Sequence, residues 1–216
     1  MIQTFSFSEA GGHPINEDAF VLHPFLNEAE GWLVCLADGQ GGRAGGGPAA
    51  QLACRTVADH VAATSGAGLD KPDSWVEILT RADQAVAADP TAGFTTLVDL
   101  SVQNDCVTGA SCGDSAVLVV CGSGSIVELT SQQFKNPPVG FGDATFVPFT
   151  AKLVRPWRLL AMSDGMWKYV GWQRVRELAM RLTGARLLAE LQTAARLRGS
   201  GEFQDDFTVV LIEAMA

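Results

Sequence analysis

The 216-residue chain has no apolar run long enough to span a bilayer, and its opening residues, Met1 to Phe5, lack a basic stretch. Neither a membrane span nor an export signal is offered, so the expected location is cytoplasmic. No Cys-x-x-Cys occurs, which removes the usual pattern of a structural zinc site or a thioredoxin-type centre. The five cysteines are an odd count, and Cys35, Cys54 and Cys121 fall inside apolar runs. Buried free thiols are expected, not a disulfide framework. Repeats, linkers and low-complexity segments are missing as well. Basic residues are few, with 15 Lys and Arg against 24 Asp and Glu, a formal charge of −9. That balance argues against a nucleic-acid partner. The arginines that do occur gather late, with Arg174, Arg176, Arg181, Arg186, Arg196 and Arg198 facing only Glu177 and Glu190 between Trp172 and Gly199. A solvated face of two helices accounts for them more simply than a docking surface does.

What is present fits one globular domain spanning 1–216, with 47% hydrophobic and 18% charged residues. The chain is organised around Leu33-Val34-Cys35-Leu36-Ala37-Asp38-Gly39-Gln40-Gly41-Gly42. The apolar residues predict a strand buried on both faces. A carboxylate ends it, glycines follow, and a helical pattern begins at Pro48 with Ala50, Cys54, Val57 and Val61 in register. Three readings of this junction are open. Asp-Gly is ordinary turn chemistry. Gly39-Gln40-Gly41-Gly42-Arg43-Ala44 also fits a dinucleotide fingerprint with Asp59 downstream, although Asp38 would then repel a pyrophosphate. Alternatively, Asp38 is a metal ligand whose partners lie elsewhere.

The remaining pattern predicts an α+β layered domain. Strands are expected over Ile2 to Ser8, Ala19 to Leu22, Phe94 to Val102, Asp105 to Cys112, Ala116 to Cys121, Ser125 to Thr130, Leu159 to Ser163 and Phe207 to Glu213. Thr145 to Val154 suits one or two edge strands. The consecutive short strands point to antiparallel hairpins. The helix from Pro48 is expected to end near Ser65-Gly66, and Ser74-x-x-Glu77 offers a capping box for a second helix. Two more helical patterns follow Trp172, with Gly184 expected to end the first.

Acidic residues recur at strand ends: Asp38, Asp164, Asp114, Asp205, and the pair Glu17-Asp18. Converging carboxylates repel unless a cation neutralises them. An all-oxygen set selects hard ions such as Mg²⁺ or Mn²⁺. In order along the chain, Asn16-Glu17-Asp18, Ala37 to Gly42, Phe94-Thr95-Thr96-Leu97-Val98, Gly113-Asp114-Ser115, Ser163-Asp164-Gly165 and Asp205-Asp206-Phe207-Thr208-Val209-Val210 resemble the signature motifs of the metal-dependent protein phosphatases, the type 2C serine/threonine phosphatases in their compact bacterial form. This ordered set displaces the dinucleotide reading.

The resemblance implies a four-layer α-β-β-α sandwich, two packed antiparallel sheets flanked by helix pairs. It implies an enzyme that hydrolyses phosphoserine or phosphothreonine in proteins, the products of a serine/threonine kinase, by attack of a hydroxide held between two Mg²⁺ or Mn²⁺ ions. Asp38 would bridge both ions, the Gly39 carbonyl would help hold the second, and Asp164 and Asp205 would complete the first. Glu17 and Asp18 would orient bound waters, and Asp114 would serve a third, weaker ion. No protein nucleophile is implied, and no cysteine stands at the Cys-x5-Arg spacing of thiol phosphatases. Neither a nucleic acid nor a membrane is an implied partner.

Three positions depart from the pattern. His13 stands where the family places a phosphate-binding arginine, so it is either a contact for the substrate phosphate or an ordinary turn residue, and its charge depends on pH as arginine's does not. Gln40 replaces a Met or His and cannot donate a proton as His would. Lys168 replaces an acid that would share the third ion with Asp114. Turned inward, its ammonium would take that ion's place beside Asp114; turned outward, the site would merely be weakened. The segment between Asp114 and Asp164 is short, so the flap beside the site is expected to be trimmed. These departures keep an alternative open, a weak or inactive pseudophosphatase used as a binding or regulatory module.

Overall fold

The computed structural model describes residues 1–24, 31–41, 44–64, 68–122 and 124–215. In chain order the elements are β1 (Ile2–Glu9), β2 (Asp18–Pro24), β3 (Trp32–Asp38), α1 (Gly46–Thr64), α2 (Pro72–Ala88), β4 (Leu97–Gln103), β5 (Cys106–Cys112), β6 (Ala116–Cys121), β7 (Ile126–Glu128), β8 (Val147–Lys152), β9 (Trp157–Met162), α3 (Asp164–Val170), α4 (Trp172–Arg181), α5 (Gly184–Ala195) and β10 (Phe207–Ala214). They form two five-stranded antiparallel sheets, one in the order β1-β10-β9-β6-β7 and the other β2-β3-β4-β5-β8.

Alternation along β3 explains why its apolar run is continuous. Leu33, Cys35 and Ala37 point to α1 and α2, where they meet Val57, Trp75 and Leu79. Val34 and Leu36 point the other way and pack between the sheets with Val98, Ala161 and Val210. On the far side, α3, α4 and α5 cover Phe207, Val209 and Leu211 with Met166, Val175 and Leu191. Each such buried side chain stabilises the fold by about 1.5–3 kcal/mol. The result is the expected four-layer sandwich, with a third, short helix added to one of its flanking pairs. Among the described residues no helix is long and apolar enough to cross a membrane.

Local expectations differ from the structure where tertiary contacts decide. The hairpin reading holds for β4–β5 and β6–β7, but β5 and β6 lie in different sheets. The chain crosses between them at Gly113, whose φ of 123° only glycine adopts without strain. Helix α1 opens at Gly46, two residues before Pro48. Helix α2 opens at Pro72, so Ser74 lies inside the first turn and the capping box is not formed. Gly184 opens α5 and does not close α4; its N–H donates to Glu213 Oε2 at 3.2 Å. Helix α3 starts where a strand end alone was expected. Ser65-Gly66, and Gly42 and Arg43 of the glycine cluster, lie outside the described residues.

One buried group in this scaffold belongs to no motif. Asp99 on β4 faces the α1–α2 layer beside Cys35, fully buried, and neither carboxyl oxygen has a hydrogen-bond partner. Burial pushes its carboxyl up to about 8, only partly offset by the weakly donating Cys35 thiol. Between the ordinary carboxylate range and that value, the folded chain keeps a proton that the unfolded chain has lost. Stability therefore falls as pH rises through this window, by about 1.4 kcal/mol per pH unit for a single group. Asp99→Asn, which cannot ionise, is expected to melt with a flatter pH dependence between pH 5 and about pH 8. Parallel melting curves for the two proteins across that range would show that Asp99 carries no such proton.

Candidate active site

Five elements bring their ends to one cavity of about 580 Å³. Its lining includes Asp38 and Gly39 at the end of β3, Asp114 in the β5–β6 crossing, Asp164 at the start of α3, and Asp205 before β10. His13, Gln40, Thr95, Thr96 and Lys135 line it too. The register of β2 against β3 sets Asp18 directly opposite Asp38.

Asp38 is held by its backbone, which leaves its carboxyl group for the cavity. Its N–H donates to Thr96 Oγ1 at 3.0 Å, and its carbonyl accepts from Thr96 N–H at 2.9 Å and from Thr95 Oγ1 at 2.8 Å. Thr96 Oγ1 in turn shares a hydrogen bond with Ser115 Oγ at 2.7 Å. The Phe94-Thr95-Thr96 and Gly113-Asp114-Ser115 motifs thus act as a clamp on the Asp38 backbone. Gly39 is required by contact: a Cβ there would lie 2.5 Å from the Gly46 carbonyl carbon and 2.7 Å from the Glu17 carbonyl oxygen.

The paired aspartates at 205 and 206 divide their work. Asp206 accepts from Gly11 N–H at 2.9 Å and Glu17 N–H at 2.6 Å, so both its oxygens are spent tying the Gly11–Glu17 loop to β10. Asp205 Oδ2 faces the cavity, 4.0 Å from Lys168 Nζ. Glu17 is thereby fixed by its backbone, and its carbonyl accepts from Gly39 N–H at 3.2 Å.

The carboxylates face one another without enough countercharge. Burial holds the Asp38 carboxyl well above its ordinary range, and the charges of Asp18, Asp164 and Asp114 raise it further. Burial likewise pushes Asp18 up to about 7; the neighbouring Thr208 and Ser163 hydroxyls lower it, and the charges of Asp206 and Asp164 raise it. Both Asp18 oxygens are out of solvent and unpartnered. The nearby Ser163 and Thr208 hydroxyls are already engaged, Ser163 Oγ with the Asp206 carbonyl and Thr208 N–H, Thr208 Oγ1 with Ser8 Oγ. Asp164 is raised by burial and by Asp114, and lowered by Lys168.

His13, Asp38, Gly39, Asp114, Asp164 and Asp205 come together at the cavity, while Glu17, Asp18 and Lys168 adjoin it without lining it, and the ion pairs differ from expectation. Lys168 Nζ lies 3.4 Å from Asp164 Oδ2 and reaches toward Asp205; it does not pair with Asp114. Its side chain is half exposed, between the inward and outward extremes. The partner of Asp114 is Lys135, at 2.7 Å. No motif singles out Lys135, which sits in the loop 129–146 between β7 and β8. His13 lines the cavity with Nδ1 hydrogen-bonded to the Ile15 carbonyl at 2.7 Å, so that nitrogen carries the proton and only Nε2 is left for a ligand.

The donor set suits a hard divalent cation: all oxygen, anionic, and short of positive charge. The unpartnered Asp18 oxygens and the raised Asp38 are the marks of a charge cluster lacking its counterion. Among the described residues, however, no group of three or more His, Cys, Asp or Glu side chains is drawn together closely enough to hold an ion unaided. Ligation would need the carboxylates to close on the ion with carbonyl and water oxygens completing the shell.

Known proteins share this architecture. No curated protein matches the sequence closely enough to count. Among solved structures, a point mutant of a bacterial serine phosphatase superposes with a TM-score of 0.82 at 22% identity, covering 99% of each chain. The catalytic domain of the serine/threonine protein phosphatase PstP, in complex with two manganese ions, gives 0.80 at 21% identity over 100% of this chain and 99% of that one. RsbX in complex with magnesium gives 0.76 at 16% identity over 98% and 94%. The fold is therefore that of the type 2C-like bacterial phosphatases. The profile of stage II sporulation protein E matches residues 28–214, nearly the whole length, and the chain belongs to the SpoIIE family.

Proposed function

We propose that residues 1–216 form a single Mg²⁺- or Mn²⁺-dependent phosphatase domain acting on phosphoserine or phosphothreonine in a protein. The observation that carries this reading is the shortage of positive charge around Asp38, which lines the cavity with Asp164 and Asp114 and has the buried, unpartnered Asp18 opposite it on β2. The likeness in fold to PstP and RsbX, whose structures hold manganese and magnesium, supports it. Asp38, Asp164, Asp205 and the Gly39 carbonyl would hold two ions, with Asp114 offering a weaker third position. Such ions, when bound, supply a water nucleophilic at neutral pH and neutralise charge on the phosphoryl group. The chain's own residues do the positioning. Thr95, Thr96 and Ser115 fix Asp38; Asp206 holds the Glu17 backbone, which leads into Asp18 opposite Asp38; Asp205 accepts at Oδ1 from the Asp206 N–H and keeps Oδ2 for the cavity.

One observation favours the alternative of a binding module that works without metal. Lys135 and Lys168 already pair with Asp114 and with Asp164. They do not reach Asp18, whose oxygens stay without a partner, or relieve Asp38. A module with no ion would keep that burden for nothing.

Release of phosphate from a phosphothreonine peptide in Mn²⁺ separates the two. Turnover is expected, and alkylation of thiols should leave it unchanged, since no cysteine lines the cavity. The absence of phosphate release in Mn²⁺ and Mg²⁺ alike would leave the binding module standing.

A further inference from the structure

Lys135 is the one lysine or arginine among the described residues that line the cavity. Its position is fixed by its neighbours. The Phe134 carbonyl accepts from Gly113 N–H at 2.8 Å, and Gln133 Nε2 donates to the Ser115 carbonyl at 2.7 Å. The loop is thus stitched to the β5–β6 crossing, and the lysine stem starts from a held backbone. The ammonium rests 2.7 Å from Asp114 Oδ2, yet the side chain is 62% exposed. An exposed pair of this kind is worth about 0–1 kcal/mol, too little to keep a flexible four-carbon stem in place against a stronger anion.

A phosphoryl group is that anion. A phosphate monoester carries nearly two negative charges at neutral pH and three oxygens that accept strong hydrogen bonds. His13, also in the lining, offers neither the permanent charge nor the fork of donors of an arginine, and one of its nitrogens is already used by Ile15. Lys168 is engaged with Asp164 and Asp205 and does not line the cavity. We infer that Lys135 is the phosphate-binding cation of this site, swinging from Asp114 to the substrate's phosphoryl oxygens. The inference rests on the phosphatase reading above and adds a cation from the 129–146 loop to the site.

The test uses the full chain with saturating Mn²⁺, and compares Lys135→Ala and Lys135→Arg with the wild type. Inorganic phosphate binding is followed by calorimetry, and hydrolysis of a phosphothreonine peptide by phosphate release. Lys135→Ala is expected to weaken phosphate about tenfold, about 1.4 kcal/mol, and to lower kcat/KM by a similar factor through KM. Lys135→Arg should recover most of both, and Mn²⁺ stoichiometry should not change. Unaltered phosphate affinity in Lys135→Ala overturns the proposal, as does a variant whose only change is tighter Mn²⁺ binding, which would make Lys135 a mere partner of Asp114. The two readings fail separately. Wild type that binds phosphate through Lys135 but hydrolyses nothing upholds the cation and refutes the phosphatase. Hydrolysis with phosphate affinity indifferent to Lys135 does the reverse. If wild type neither binds phosphate nor turns over, both fall.

Discussion

Asp38→Asn is expected to lose turnover by about three orders of magnitude while the metal-free protein melts no lower than the wild type. The two halves of this result come from the same geometry. The loss follows because Asp38 is the acid on which the charges of Asp18, Asp164 and Asp114 converge. An amide in its place keeps the shape but removes the anion that would hold a cation against the reacting phosphoryl group. Such charge stabilisation is worth several kcal/mol, and about 4 kcal/mol corresponds to a thousandfold in rate. The unchanged or raised melting temperature follows because the backbone bonds to Thr95 and Thr96, and not the carboxyl group, anchor this residue. Removing one of several mutually repelling carboxylates relieves strain in the empty site. Asp164→Asn and Asp205→Asn should behave alike, and Asp206→Asn should not. Asp206 ties Gly11 and Glu17, so its loss should show first as a lower melting temperature. Steady-state kinetics with thermal melts of all four variants decide the matter. An Asp38→Asn protein that unfolds without metal would make Asp38 structural.

Excess chelator is expected to abolish phosphate release, and saturating Mn²⁺ to raise the melting temperature of the wild type by about 10 °C or more. The second figure follows from linkage. An ion at about 100 times its dissociation constant stabilises the folded state by about 2.7 kcal/mol, so two ions give about 5 kcal/mol. For a chain of this size each kcal/mol moves the midpoint by about 2–4 °C. Asp38→Asn should lose most of the shift. Calorimetry would add the stoichiometry, with two ions expected at the Asp38 group and a weaker third at Asp114, where Lys135 competes. A wild-type melting temperature indifferent to millimolar Mn²⁺, or turnover undiminished in chelator, would sink the metal-dependent reading.

The site was legible wherever position in a motif suffices. Asp38, Asp114, Asp164 and Asp205 each stand beside a glycine or a strand end, and their convergence needed only the correct sheet order. The pair at 205 and 206 shows what each level adds. The distance to Thr208 in the motif selects Asp205, and the structure supplies the role of Asp206, which spends both oxygens on backbone N–H groups. Lys135 left no local signal at all, because its place at the cavity comes from a loop stitched to a crossing 18 to 21 residues away in sequence. The fold behaves similarly. The double-faced burial of β3 is readable from an unbroken apolar run, but the passage from β5 to β6 looks like another hairpin until the partners of each strand are known. Gly184 carries the usual signal of a helix end, yet its contacts with Phe5 and Glu213 place it at a helix start.

The acids of the cavity are split between the two leaves of the sandwich. Asp18 and Asp38 belong to β2 and β3 of one sheet, while Asp164 and Asp205 flank β9 and β10 of the other. On the proposed reading, the spacing of the leaves is therefore the aperture of the ion site. Leu36, Val98, Ala161 and Val210 between them act as shims that set how far apart the two pairs of acids stand. Cation affinity would then be tuned from the dry interior, by residues that never touch an ion. A bound cation would in turn become a rivet, clasping the leaves at the end where these acids meet.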